Sequence, residues 1–144
     1  MGTAIVVTSG KGGTGKTSIT GGVAGSLARL GHRVLCIDMD IGLRNLDISL
    51  GLSDRALMDF SDVAEGRCPL VRAAVNHPDL PGLALLTAPM TLSPALTEEA
   101  VRRMLDTARS LYDYVLIDSP AGLGAGFRMA CCGADRAIVV STND

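Results

Sequence analysis

Between Ser9 and Ser18 the chain reads Ser-Gly-Lys-Gly-Gly-Thr-Gly-Lys-Thr-Ser. Gly10, Gly15, Lys16 and Thr17 occupy the fixed positions of G-x-x-x-x-G-K-[ST], a pattern built to hold phosphate. Backbone N–H groups cradle the phosphates, the lysine reaches the β- and γ-phosphates, and the hydroxyl ligates Mg²⁺. A merely flexible glycine turn requires neither Lys16 nor Thr17 at those offsets. The ligand class is therefore a nucleoside triphosphate, and Lys11 adds a second cation to the loop.

Two further groups of carboxylates have the chemistry to complete such a site. Asp38-Met39-Asp40 closes the apolar run Val34–Asp38, and in an open α/β sheet the carboxyl ends of the strands face the ligand. A carboxylate there can hold Mg²⁺ through water or orient the water that attacks the γ-phosphate; either aspartate alone could equally be a solvated strand end. Tyr114-Val115-Leu116-Ile117-Asp118 is an apolar strand ending in aspartate, the Walker B arrangement that supplies Mg²⁺ with a carboxylate oxygen. It gains weight from the loop at Gly10–Thr17, since both strands would open onto one edge.

These groups need a parallel sheet to bring them together. Five apolar runs, at 4–8, 34–38, 83–87, 115–118 and 137–140, alternate with helical patterns, the signature of a mostly parallel α/β sheet. Their near-continuous hydrophobicity predicts strands covered on both faces. Thr17 to Gly31 predicts the first crossover helix, with Ile19, Val23, Leu27 and Leu30 at helical spacing and Gly31 as its stop. Glycines at 21, 22 and 25 are costly inside a helix, and close packing of helix on sheet is the expected reason. Leu96, Ala100, Val101, Met104, Leu105, Ala108 and Leu111 predict a second covering helix opened by Ser93-Pro94. Residues 54–81 predict only short helices and loops.

The 144 residues fit one domain, and 47% hydrophobic content supplies a core with only 3% aromatics. A net charge of −2, without blocks of like charge, offers no nonspecific pull on nucleic acid or membrane. No apolar stretch approaches the roughly 20 residues of a membrane-crossing helix, and no signal peptide is expected, since the first residues run straight into a strand pattern. Cys36, Cys68, Cys131 and Cys132 lack a C-x-x-C spacing, which predicts a reduced cytoplasmic protein. Cys131 and Cys132 are expected to pack as small hydrophobes. His32 and His77 are read as turn and loop residues.

Lys11-Gly12-Gly13-Thr14-Gly15-Lys16-Thr17 has the deviant Walker A form K-G-G-x-G-K-[ST]. Together with Asp40-Ile41-Gly42-Leu43-Arg44-Asn45-Leu46-Asp47 and Asp118-Ser119-Pro120-Ala121-Gly122, it makes the chain resemble the MinD/ParA ATPases over nearly its whole length. The Asp40–Asp47 block is closest to the MinD branch. That resemblance implies a P-loop fold, ATP and Mg²⁺ as cofactors, and an ATP-dependent homodimer that regulates placement of the bacterial division septum. It implies ATP binding by Lys11, Gly12, Gly13, Thr14, Gly15, Lys16, Thr17 and Ser18. Catalysis would fall to Lys11, Lys16 and Asp40, with Lys11 reaching the partner's phosphates, and Mg²⁺ to Thr17, Asp38 and Asp118. Arg44, Asn45 and Asp47 would lie near the dimer face and the surface for MinC-like and MinE-like regulators; a helix start on the surface would look the same. Gly124 departs from the branch, which commonly has Glu there.

The run Ala137–Val140 is followed only by Ser-Thr-Asn-Asp, which leaves no crossover helix after it. The expectation is the N-terminal part of a MinD/ParA-type domain, with no second domain, truncated after its fifth strand. Such proteins continue with adenine contacts and an amphipathic C-terminal helix, so peripheral membrane binding is implied only for the full-length, ATP-bound form. Rival readings are a ParA-like ATPase holding DNA, an iron–sulfur protein using Cys131 and Cys132, and an inactive fragment.

Overall fold

The structure, a computed structural model, describes residues 1–9, 15–40, 46, 50–51, 58–120 and 124–141. Six strands among the described residues form one sheet: β1 (Thr3–Ser9), β2 (Val34–Asp38), β3 (Val75–Asn76), β4 (Leu83–Leu86), β5 (Tyr114–Asp118) and β6 (Arg136–Val140), in the order β3-β4-β2-β5-β1-β6. All pairings are parallel except β3 with β4. Each of the five expected strands is present. The addition is β3, an antiparallel edge strand of two residues, so the last strand is the sixth in sequence.

Alternate side chains enter two cores, which is why the central strands read as continuously apolar. Leu35, Ile37, Val115 and Ile117 pack on one face beneath α2 (Phe60–Ala64), α3 (Leu70–Ala73) and α4 (Glu98–Leu111). Val34, Cys36 and Leu116 pack on the other, against Ala24 and Ala28 of α1 (Lys16–Arg29). In β6, Arg136, Ala137 and Val139 are exposed and Val140 is buried.

Helix α1 ends at Arg29, and Gly31 N–H donates to the Ala28 carbonyl, as expected of Gly31 as a stop. Its buried face is Thr20, Ala24, Gly25 and Ala28, whereas Ile19 and Leu30 of the expected stripe are exposed. Helix α4 starts later than Ser93-Pro94, because the Thr97 hydroxyl caps it by accepting from Ala100 N. Leu96 is still buried, but from the turn before the helix. The predicted short helices are α2 and α3, while α5 (Ala125–Cys131) was not anticipated. Of the α1 glycines, Gly25 is buried, with room for ordinary contact to Leu80. Gly22 is exposed and a Cβ there would touch nothing, so close packing does not account for it.

Two glycines therefore separate two effects. Gly82 has φ +88°, and a Cβ would stand 2.9 Å from the His32 carbonyl oxygen, so Gly82→Ala should lower the unfolding free energy by about 2 kcal/mol. Gly22→Ala should raise it by about 0.5–1 kcal/mol through helix propensity and the unfolded chain's lost freedom. Urea unfolding of both variants checks the opposite signs.

Candidate phosphate and metal site

Three neighbouring strands end at one level. Val7 pairs with Asp118 across β1–β5, and Asp38 pairs with Asp118 across β2–β5. The crossover from β1 through α1 to β2 passes over β5, which lies between them. The first turn of α1 accordingly falls beside the end of β5. Gly15, the N-cap, takes φ +83°, a left-handed conformation that side-chain-bearing residues seldom adopt.

The consequence is a buried cluster. Lys16 and Asp118, with side chains 8% and 0% exposed, form an ion pair through Nζ and Oδ1. The Thr17 hydroxyl donates to Asp118 Oδ2 at 3.0 Å. Both oxygens of one carboxylate are thus engaged by adjacent residues of the phosphate motif. Ser18 is exposed, and the Lys16 carbonyl accepts from Thr20 Oγ1 at 2.9 Å.

Asp38 is 1% exposed. Its Oδ1 accepts from Asp40 N at 2.9 Å and its Oδ2 from Leu46 N at 3.3 Å. Burial pushes its pKa from 3.8 up to about 7 despite those donors, with the Asp118 and Asp40 charges adding to the rise. Asp40 is half-buried; burial raises its pKa too, opposed by the Lys16 charge and assisted by that of Asp118.

The structure thus brings Lys16, Thr17, Asp38, Asp40 and Asp118 to one sheet edge. Lys11, Gly12, Gly13, Thr14, Arg44, Asn45 and Asp47 lie outside the described residues. Gly124 is exposed and extended at the N-cap of α5, which has no side-chain cap hydrogen bond. His32, before β2, stacks edge-on against Tyr114 at 5.2 Å between centroids; His77 N–H bonds to Leu83 O at the start of β4. Both are at the amino ends of the central strands, away from the cluster.

All four cysteines are free thiols. Cys131 and Cys132 pack against the core, burial raises both pKa values, and Cys132 Sγ lies 3.1 Å from the Met129 carbonyl oxygen. Among the described residues no group of three or more His, Cys, Asp or Glu side chains is placed to hold a metal ion.

Sequence reasoning missed Ser119 and the role of Leu46. Ser119 is fully buried and gives both its N–H, at 3.1 Å, and its hydroxyl, at 2.9 Å, to the Val7 carbonyl. It ties the end of β5 to β1 immediately after Asp118; a serine beside a strand-ending aspartate is the only signal for it. Chemically, the set fits magnesium and a nucleotide phosphate: a hydroxyl and a carboxylate are hard oxygen donors suited to Mg²⁺, and an ammonium at a helix N-terminus suits an anion.

A family model described as an AAA domain matches residues 2–144. The chain is 45% identical over 144 residues to the septum site-determining protein MinD of Bacillus subtilis (strain 168), covering 99% of this chain and 54% of that protein. The MinC:MinD cell division protein complex of Aquifex aeolicus is similar at TM-score 0.85 and 43% identity, over 95% of this chain and 55% of that one. The septum site-determining protein MinD complexed with Mg-ADP from Pyrococcus horikoshii OT3 is similar at TM-score 0.84 and 29% identity, over 98% of this chain and 58% of that one. The chain spans about half the length of these relatives.

The raised pKa of Asp38 gives a pH test. The folded chain holds this proton more tightly than the unfolded chain, whose carboxyl ionises near its ordinary 3.8. Stability from this group is fully present below that pH and is lost as pH rises through about 7. Asp38→Asn abolishes the titration. Its unfolding free energy relative to the wild-type chain should therefore rise by on the order of 2–4 kcal/mol from about pH 4 to about pH 8 in magnesium-free buffer. A pH-independent difference between the two would contradict the assignment.

Proposed function

This chain belongs to the AAA-domain family, and on that premise we propose that it is the phosphate- and Mg²⁺-binding part of an ATP-hydrolysing switch that regulates placement of the bacterial division septum. One observation carries the reading: Lys16 and Thr17, adjacent in the phosphate motif, both engage the buried carboxylate of Asp118. The similarity to septum site-determining proteins supports the cellular role.

In this reading Lys16 binds the β- and γ-phosphates, and Thr17 and Asp118 hold the Mg²⁺, which supplies charge neutralisation for phosphoryl transfer when bound. Lys11, Gly12, Gly13, Thr14, Gly15 and Ser18 complete the ATP-binding set. Asp40, near both Lys16 and Asp118, orients the attacking water. Lys11 reaches the phosphates of a second copy: the transition state of phosphoryl transfer spreads negative charge, so a cation supplied in trans couples hydrolysis to assembly.

The dimer places Arg44, Asn45 and Asp47 near its face, where MinC-like and MinE-like regulators dock; a related MinD was solved with MinC. The protein is cytoplasmic and becomes peripheral on the inner membrane face when whole and ATP-bound. Among the described residues no helix is long and apolar enough to cross a membrane. A net charge of −2 gives no support to a DNA-partition role.

Titration with fluorescent ATP and Mg²⁺ tests the core of this proposal. Lys16→Ala should weaken binding ten- to hundredfold, the size of a lost charge-assisted contact. Equal binding by the variant, or none by folded wild-type chain, would refute the assignment. In the protein, Lys11→Ala should retain ATP binding but stay monomeric with ATP in light-scattering chromatography; a dimer indistinguishable from wild type would remove Lys11 from the interface.

A further inference from the structure

The carboxylate of Asp38 is occupied by the main chain. It terminates β2, in register with Asp118, and its next residue is fixed as well, since Met39 N–H bonds to the Asp118 carbonyl at 2.9 Å. Asp40 N–H meets one oxygen of Asp38 and Leu46 N–H meets the other. Leu46 is itself anchored: its side chain is fully buried in the core beneath α1, and its carbonyl accepts from Leu50 N at 3.0 Å. One aspartate therefore ties the end of β2 to a residue held under the helix that begins with Lys16.

Asp40 depends on the same bonds. It is the first residue beyond the strand pairing, it feels the charges of both Lys16 and Asp118, and its own N–H is what Asp38 holds.

We propose that Asp38 is a positioning residue: it clamps the main chain at Asp40 and Leu46 so that the Asp40 carboxylate stands at the phosphate site. The catalytic consequence rests on the ATPase reading above; the clamp itself does not.

The experiment compares the wild-type protein with Asp38→Ala and Asp38→Asn by amide hydrogen exchange and by steady-state ATP hydrolysis over a Mg²⁺ series. Asp38→Ala should lower protection of the Asp40 and Leu46 amides at least tenfold while Val34 and Leu116 keep theirs. Its kcat should fall at least tenfold, with KM for ATP within about twofold of wild type. Asp38→Asn keeps one acceptor oxygen and turns a donor toward Leu46, so it should retain protection at Asp40 and lose it at Leu46.

Unchanged exchange at both amides in Asp38→Ala overturns the clamp. A tenfold higher Mg²⁺ requirement with unchanged exchange also overturns it and returns Asp38 to the metal's water shell. If the Ala variant loses protection at Val34 and Leu116 as well, the Asn variant decides by its two amides alone. Wild-type protein that neither binds nor hydrolyses ATP would sink the ATPase reading, and the exchange measurement would still decide the clamp.

Discussion

A fully buried carboxylate is the constraint on which this structure turns. Taking Asp118 out of water is costly unless its charge is met and its oxygens are bonded. Lys16 meets the charge and Thr17 takes the second oxygen. Both come from the first turn of a helix more than ninety positions earlier in the chain. The fold must therefore hold the start of α1 over the end of β5, and the sheet order does so by inserting β5 between the two strands that α1 connects. Such a pair adds less to net stability than its closeness suggests; its value lies in placing an ammonium, a hydroxyl and a carboxylate together.

The surrounding bonds sharpen that placement. Ser119 ties the residue after Asp118 to β1, Met39 ties the residue after Asp38 to β5, and Asp38 gathers the chain beyond β2. Each bond lies at the carboxyl edge, where the parallel ladder has run out of partners and side chains must take over. Beneath them, two apolar layers on opposite faces make the strands rigid supports, so small shifts at the edge are resisted by the packing below.

Most of this was legible before any coordinates. The phosphate motif and the aspartates at 38, 40 and 118 could be read because their chemistry demands particular residue types at particular strand ends. The five apolar strands could be read because cover on both faces erases alternation. What was illegible follows from equally plain physics. A two-residue strand such as Val75–Asn76 has no periodicity to detect. The hydroxyl of Thr97, rather than the proline at 94, sets the start of α4, since a cap acts through a single hydrogen bond. The pairing of Asp38 with Leu46 N–H joins residues eight positions apart in the chain and is invisible to any local pattern.

The most direct measurement of the central claim, that Thr17 and Asp118 act as one unit in holding Mg²⁺, is a double-mutant cycle of Thr17→Val and Asp118→Asn on Mg²⁺-dependent nucleotide binding. Two ligands of one ion, in contact with each other, should couple by at least about 1 kcal/mol, so that the double variant binds little worse than Asp118→Asn alone. Losses that simply add would show the two residues acting independently and would contradict the shared site.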